Sequence, residues 1–362
     1  MKKALIVHTG GGLGDVLLSG PVVDTLSEAG YQVDFLARSG TAKAIASHPK
    51  VNNLLVIDGK DPSGPWEMAQ WARLLRQRGY ATSLLLWSTS RWAWTLYSAR
   101  IPIRVGQDSR LLYSFLFTHQ VKVRSEHGDQ SSHWTDILLD YPRRLGLSPS
   151  LVKPSFPLSE DDMAKARRTI ESFDFGSQTG PLIGFHSGKG LPLTPERWPS
   201  GHFGLLARAL QNDLNARLVM TGGPGEVEIV QRVTKHLDEP FLNLAGRTSV
   251  RELAALQKTL DVYVCPDSGP MHLAAAVGTP VVGIYALDED FPERWAPYGT
   301  SVRKIRPPRP ACPPGCTKPD CPDFRCYLKV QPRAVVEAVE ELLQGRKPHK
   351  ESPQMKRNRL PL

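Results

Sequence analysis

No apolar run in this 362-residue chain is long enough to cross a bilayer as a helix. The nearest, Ala274 to Leu287, is interrupted by Gly278, Thr279 and Pro280. Nor does the N-terminal stretch read as a secretory leader. After two lysines, the apolar stretch Ala4 to Val7 is too short for a signal core and reads as a first strand, so a cytoplasmic protein is expected. Cysteine is scarce, at five residues, and four of these cluster within 312–326, where a structural zinc is favoured over disulfides. An evenly spread positive charge is also lacking. The formal net charge is +9, but six Lys/Arg against one Glu fall in the Pro-rich tail of residues 346–362. The remainder is only mildly basic, which argues against a dedicated nucleic-acid binder. The tail reads as disordered, either a solvated end or a contact for an anionic membrane surface.

What the chain does contain is an alternation of apolar strands and amphipathic helices, with 41% apolar and 22% charged residues. Strands are predicted at 4–7, 33–37, 54–57 and 84–87, with helices at 16–29, 41–47, 66–78 and 92–99. After Gly106 the periodicity weakens, and a helix over 134–145 leads to the Ser148-Pro149 and Lys153-Pro154-Ser155-Phe156-Pro157 segments, a linker. A second rhythm follows. Helices are predicted at 161–172, 203–211, 227–237, 250–260 and 334–343, with strands at 182–186, 218–221 and 241–244. This pattern predicts an α/β protein of two domains, 1–157 and 158–345, each a parallel sheet covered on both faces, followed by the 346–362 tail. Ligands of such sheets bind beyond the carboxyl ends of the strands, so the cleft between the halves is the expected site.

The stretch Val262–Tyr285 is the most informative. A buried strand runs into Pro266-Asp267-Ser268-Gly269-Pro270, then a short apolar helix, then a second strand. Free N–H groups at such a helix start, together with the helix dipole, suit a phosphate. Ser268 adds a hydroxyl, Asp267 an acceptor for sugar hydroxyls and His272 a donor one turn in. The plainer alternative is a βαβ connection with Ser268 as N-cap. The first loop, Thr9-Gly10-Gly11-Gly12-Leu13-Gly14-Asp15, fails the G-x-G-x-x-G dinucleotide fingerprint because Asp15 stands at its third position. A carboxylate there suits proton acceptance from an incoming hydroxyl, or simply caps the helix. Gly222-Gly223-Pro224-Gly225-Glu226 repeats the strand–glycine–helix form, with Glu226 either a ribose acceptor or a capping carboxylate. Gly184 to Gly190 is one residue short of a P-loop and lacks its Ser/Thr, which leaves Ser187 and Lys189 at a polar strand end ahead of Arg197-Trp198-Pro199. Asp288-Glu289-Asp290 has a D-x-D form but reads as a solvated turn. Cys312, Cys316, Cys321 and Cys326 are candidates for a structural zinc, although no C-x2-C pair is present.

Together these residues resemble the ADP-heptose:lipopolysaccharide heptosyltransferases, a family of GT-B glycosyltransferases. The resemblance spans most of residues 1–345. It rests on Gly12-Leu13-Gly14-Asp15-Val16, Arg197-Trp198-Pro199, Gly222 to Glu226, Leu244-Ala245-Gly246-Arg247-Thr248 and, most specifically, Asp267 to Ala275. It implies a GT-B fold of two Rossmann-like domains and inverting transfer from a nucleotide-diphosphate sugar, ADP-heptose, to a lipid-linked oligosaccharide acceptor at the inner face of the inner membrane. It further implies Asp15 as general base, with Gly12 and Gly14 at the substrate. Ser268, Gly269 and His272 would hold the pyrophosphate, with Asp267 near the sugar, Glu226 on the ribose and Ser187 near the phosphates. Arg197 stands where the family has Lys in K-x-W-P, and Lys189 is a substitute cation. No cofactor or metal is called for if those groups stabilise the leaving diphosphate. The same fold with another nucleotide sugar or acceptor, or a non-catalytic nucleotide-sugar binder, remains the alternative; a pure binder has no need of Asp15.

Overall fold

The computed structural model describes residues 1–59, 61–87, 89–149, 153–187, 199–235, 237–286, 291–308 and 325–345. Among the described residues, twelve strands form two six-stranded sheets. The first holds β1 (Lys2–His8), β2 (Tyr31–Arg38), β3 (Val51–Ile57), β4 (Thr82–Leu85), β5 (Ile103–Gln107) and β6 (His119–Val121). The second holds β7 (Leu182–His186), β8 (Arg217–Thr221), β9 (Phe241–Asn243), β10 (Val262–Pro266), β11 (Val281–Ile284) and β12 (Val302–Ile305). Every pairing is parallel, in the orders β3-β2-β1-β4-β5-β6 and β12-β11-β10-β7-β8-β9. Reading the second from its first strand outward gives the same doubly wound arrangement twice. The direction of winding reverses between β1 and β4 in one sheet and between β7 and β10 in the other, and each reversal opens a crevice at the strand ends.

Helices cover both faces of each sheet, which is why β4, β7, β10 and β11 are buried throughout, and β10 and β11 carry no charged residue. Two predicted helices prove to be pairs. The segment expected over 16–29 forms Leu13–Leu18 and Gly20–Glu28, and that expected over 134–145 forms Trp134–Leu138 and Asp140–Arg143. In each a proline, Pro21 or Pro142, withholds the N–H that a continuous helix needs. Over 41–47 only the start is helical, within Ser39–Ala42, and turns follow. Strands β5, β6 and β12 escaped the sequence reading because they are short and carry polar residues.

The two halves share a core. Ala254, Leu273 and Val277 of the second half pack into the cluster containing Val16, Leu17 and Ile137 of the first. A fully buried leucine such as Leu273 contributes about 1.5–3 kcal/mol. A further clasp joins residues 129–134 to 294–298. His133 Nδ1 accepts the Thr135 N–H (3.2 Å), so its Nε2 donates to the Ala296 carbonyl (2.8 Å). Its ring lies 4.8 Å from Tyr298, Trp134 stacks 5.3 Å from Trp295, and Arg294 donates to the Asp129 carbonyl.

Candidate active site

Motifs far apart in the chain meet because of strand order. In the second sheet β10, β7 and β8 are neighbours, so the turns that follow them lie side by side. Ser187 follows β7, Gly222–Glu226 follows β8, and Asp267–Ser268 follows β10. Ser187 is buried, and its Oγ has no hydrogen-bond partner among the described residues. Glu226 Oε2 accepts the Gly223 N–H at 2.5 Å, and Oε1 lies 3.7 Å from His186 Nε2. The capping geometry of Glu226 is therefore present, and it leaves the second oxygen turned towards the neighbouring strand end.

Ser268 is the N-cap of the Gly269–Ala276 helix in an extended conformation, yet its hydroxyl donates backwards to the Pro266 carbonyl (3.0 Å). No side chain caps the helix, so its positive end is open towards the cleft. One turn in, His272 is buried, and its Nδ1 has no hydrogen-bond partner among the described residues. Burial, with a smaller contribution from His133, lowers its pKa to about 3. In the unliganded protein His272 is thus a neutral imidazole, able to donate one N–H to an anion without bringing a charge.

Facing this turn is the short helix Leu13–Leu18. Asp15 sits in its first turn and its Oδ2 accepts the Gly12 N–H at 2.7 Å. Burial pushes the Asp15 carboxyl up from its ordinary value, against the lowering effect of the Gly12 and Asp15 N–H groups. Gly11 makes the turn at φ +66°, where a Cβ would also collide with the Asp15 carboxylate. The two helix starts abut glycine to glycine. A Cβ on Gly14 would lie 2.6 Å from His272 Cδ2 and 3.5 Å from the Gly269 Cα; one on Gly269 would lie 3.2 Å from Leu13 Cβ. Two positive helix ends, one bearing a carboxylate and the other open, therefore meet at a single point of the cleft.

A cavity of about 240 Å³ opens beyond the ends of β4, β5 and β6. Its walls include Trp87, Gln107, Arg110, Glu126, Trp134 and Tyr141. Arg110 Nη2 pairs with Glu126 at 2.8 Å, and Gln107 Nε2 donates to the same carboxylate at 2.9 Å. Arg124 braces this wall, donating to Asp140 (2.8 Å) and Asp136 (2.7 Å). Trp87 links the cavity to the glycine loop, since its indole lies where a Cβ on Gly10 would fall. His8 lies under that loop, 5.9 Å from the Trp87 ring and held neutral by burial, its pKa lowered to about 4. Aromatic rings beside planar polar groups suit a sugar. The sequence reading named none of these residues. The strand-end rule could have pointed to Trp87, but Gln107 ends, and Arg110 follows, a strand that the periodicity did not reveal.

Lys189 and Arg197 lie outside the described residues, as do Asp288, Glu289, Asp290, Cys312, Cys316, Cys321 and the tail from 346. Cys326 is buried in the core beside Tyr327 and Val330. Among the described residues no group of three His, Cys, Asp or Glu is placed to hold a metal ion.

Comparisons with known proteins bear on the family and the fold. The model of glycosyltransferase family 9 (heptosyltransferase) matches residues 68–320. Lipopolysaccharide heptosyltransferase 3 of Escherichia coli (strain K12) is 25% identical over 347 residues, which cover 91% of this chain and 95% of that protein. Among solved structures, a glycosyl transferase family 9 protein from Veillonella parvula DSM 2008 superposes with a TM-score of 0.80 at 22% identity, covering 95% of this chain and 97% of its own. E. coli ADP-heptose LPS heptosyltransferase II superposes at 0.73 and 22% identity, covering 95% and 99%. At these identities the structures speak for the fold, GT-B.

Proposed function

The chain belongs to glycosyltransferase family 9, the heptosyltransferases, and from that premise we propose that it moves a heptose from ADP-heptose to a hydroxyl of a lipopolysaccharide core acceptor, with Asp15 as general base. Residues 1–157 hold the acceptor in this reading and residues 158–345 hold the donor. The observation that carries it is the glycine-to-glycine contact between Gly14 and Gly269, which sets a carboxylate on one half against an open helix start on the other.

The acceptor sugar occupies the cavity beside Trp87 and Trp134, and its attacking hydroxyl reaches Asp15. The donor diphosphate lies at Ser268, Gly269 and His272, with Ser187 near the phosphates, Glu226 on the ribose and Asp267 near the sugar. As the acceptor oxygen bonds to the anomeric carbon, the bond from that carbon to the phosphate oxygen breaks on the opposite face, giving inversion. The acceptor proton passes to Asp15. Helix N–H groups and the neutral His272 N–H stabilise the charge left on ADP. A raised carboxyl pKa brings the base nearer the working pH and strengthens it. Gly12 and Gly14 keep the backbone thin enough for both substrates to approach. Lys189 and Arg197 are proposed as cations for the diphosphate.

Unfolding midpoints measured against ADP, UDP, GDP and CDP test the donor assignment, because a ligand bound by the native state alone stabilises it. A shift with ADP and none with the other three is expected. In His272→Ala the loss of a hydrogen bond to a charged group is expected to weaken ADP by about 10- to 100-fold. A selective response to UDP or GDP would overturn the ADP assignment, and undiminished ADP affinity in His272→Ala would remove the histidine from the phosphate site.

A further inference from the structure

One face of the first half is aromatic where a helix normally turns charge to water. The Ser90–Ser98 helix buries Trp92, Ala93, Thr95 and Leu96 against the sheet, as an amphipathic helix should. Its opposite side carries Trp94 and Tyr97, one turn apart and 40% and 49% exposed. The chain returns beside them at 110–116. There Leu111 and Leu112 stand 98% and 81% exposed on a turn, and Phe115 is 65% exposed. The pieces form one surface: Trp94 makes edge contacts with both Tyr97 and Phe115, each at 6.0 Å between ring centres. A contiguous apolar surface of this kind on a folded protein marks an interaction site.

We propose that this face docks on the surface of an anionic lipid bilayer. Trp and Tyr at an apolar–polar boundary beside fully exposed leucines are the side chains that settle into headgroups. The rim has the complementary charge: residues 89–118 contain Arg91, Arg100, Arg104 and Arg110 against one acid, Asp108, and since Arg110 pairs with Glu126 the excess rests on the other three. Arg104 lies 5.3 Å over the Tyr97 ring, within the patch itself. The same charge disfavours a second copy as the occupant, since a two-fold contact through this face would set arginines against arginines. The patch is also continuous with the cavity. Arg110 lines the cavity wall and Leu111 is the next residue, so a sugar anchored in the bilayer would enter from the docked side. The purpose of the contact rests on the lipid-linked acceptor proposed above; the contact itself does not.

The test is flotation of the full-length chain, without substrates, on phosphatidylcholine vesicles with and without phosphatidylglycerol. Binding to the anionic vesicles is expected, and Leu111→Ser/Leu112→Ser should weaken it about tenfold or more while the ADP-induced shift in unfolding midpoint stays unchanged. A second variant, with Lys347, Lys350, Lys356, Arg357 and Arg359 of the tail replaced by Gln, should retain binding. The proposal is overturned if the wild-type chain floats with neither vesicle, if the leucine variant binds as well as wild type, or if the tail variant alone loses binding. It is equally overturned if the chain is a dimer in solution that the leucine variant splits. Failure of the transferase reading would appear separately, as absence of transfer to a water-soluble acceptor.

Discussion

Asp15→Asn is expected to lower the rate of transfer by about 10²- to 10⁴-fold, the range that a positioned general base contributes. ADP affinity should stay within about twofold. The substitution is conservative here because asparagine can still accept the Gly12 N–H through its side-chain oxygen, so the helix start survives and proton acceptance alone is removed. Single-turnover transfer and ADP titration on the same preparations measure the two quantities. Linkage adds a second signature. The folded-state pKa of Asp15 is raised by burial, so the native state holds this proton more tightly than the unfolded chain. Its favourable contribution is complete below the unfolded pKa and is lost as pH rises through the folded pKa. Above the folded pKa the ionised carboxylate therefore costs stability, and there Asp15→Asn should unfold at a higher temperature than wild type. Transfer by wild type should fall as pH drops through the raised pKa. A variant at once more stable and nearly inactive is what a base held in unfavourable surroundings for catalysis predicts.

Gly14→Ala is the second large effect. Its new methyl would lie 2.6 Å from the buried His272 ring, so that ring or the helix carrying it must shift, while the Gly269 Cα at 3.5 Å is an ordinary contact. Displacement of about 1 Å between reacting groups is worth about 100-fold in rate, and that loss is expected in transfer. ADP affinity should weaken as well, because the atom displaced first belongs to the proposed phosphate site. A drop in transfer at unchanged unfolding midpoint and unchanged ADP affinity would contradict the shared wall.

The sequence was most legible where local chemistry and topology speak together. Asp267 to His272 could be read as a phosphate turn because a buried strand, a Gly-Pro break and an apolar helix follow one another within a few residues. Asp15 could be read because an acid spoils a glycine loop at the point where a dinucleotide would need none. Whether Glu226 caps a helix or faces a ribose could not be read, and the structure explains why: one oxygen is spent on the Gly223 N–H while the other remains turned towards His186. The cavity was not legible at all. Its walls come from β4, β5, the loop after β6 and the Trp134–Leu138 helix, brought together only by the order β1-β4-β5-β6. Nor was the contact of Gly14 with Gly269, because each glycine has a sufficient local reason to be there. The exposed Trp94 was likewise hidden inside a helix that reads as amphipathic, and Leu111 lies in the stretch after Gly106 where the periodicity weakens.

The most direct test of the account is to incubate the purified chain with ADP-heptose and a heptose-free lipopolysaccharide core acceptor, following ADP release and acceptor mass together. The account predicts one heptose gained per ADP released, with the new linkage inverted at the anomeric carbon. Tight ADP binding with no gain in acceptor mass would contradict it and leave a nucleotide-sugar binder in its place.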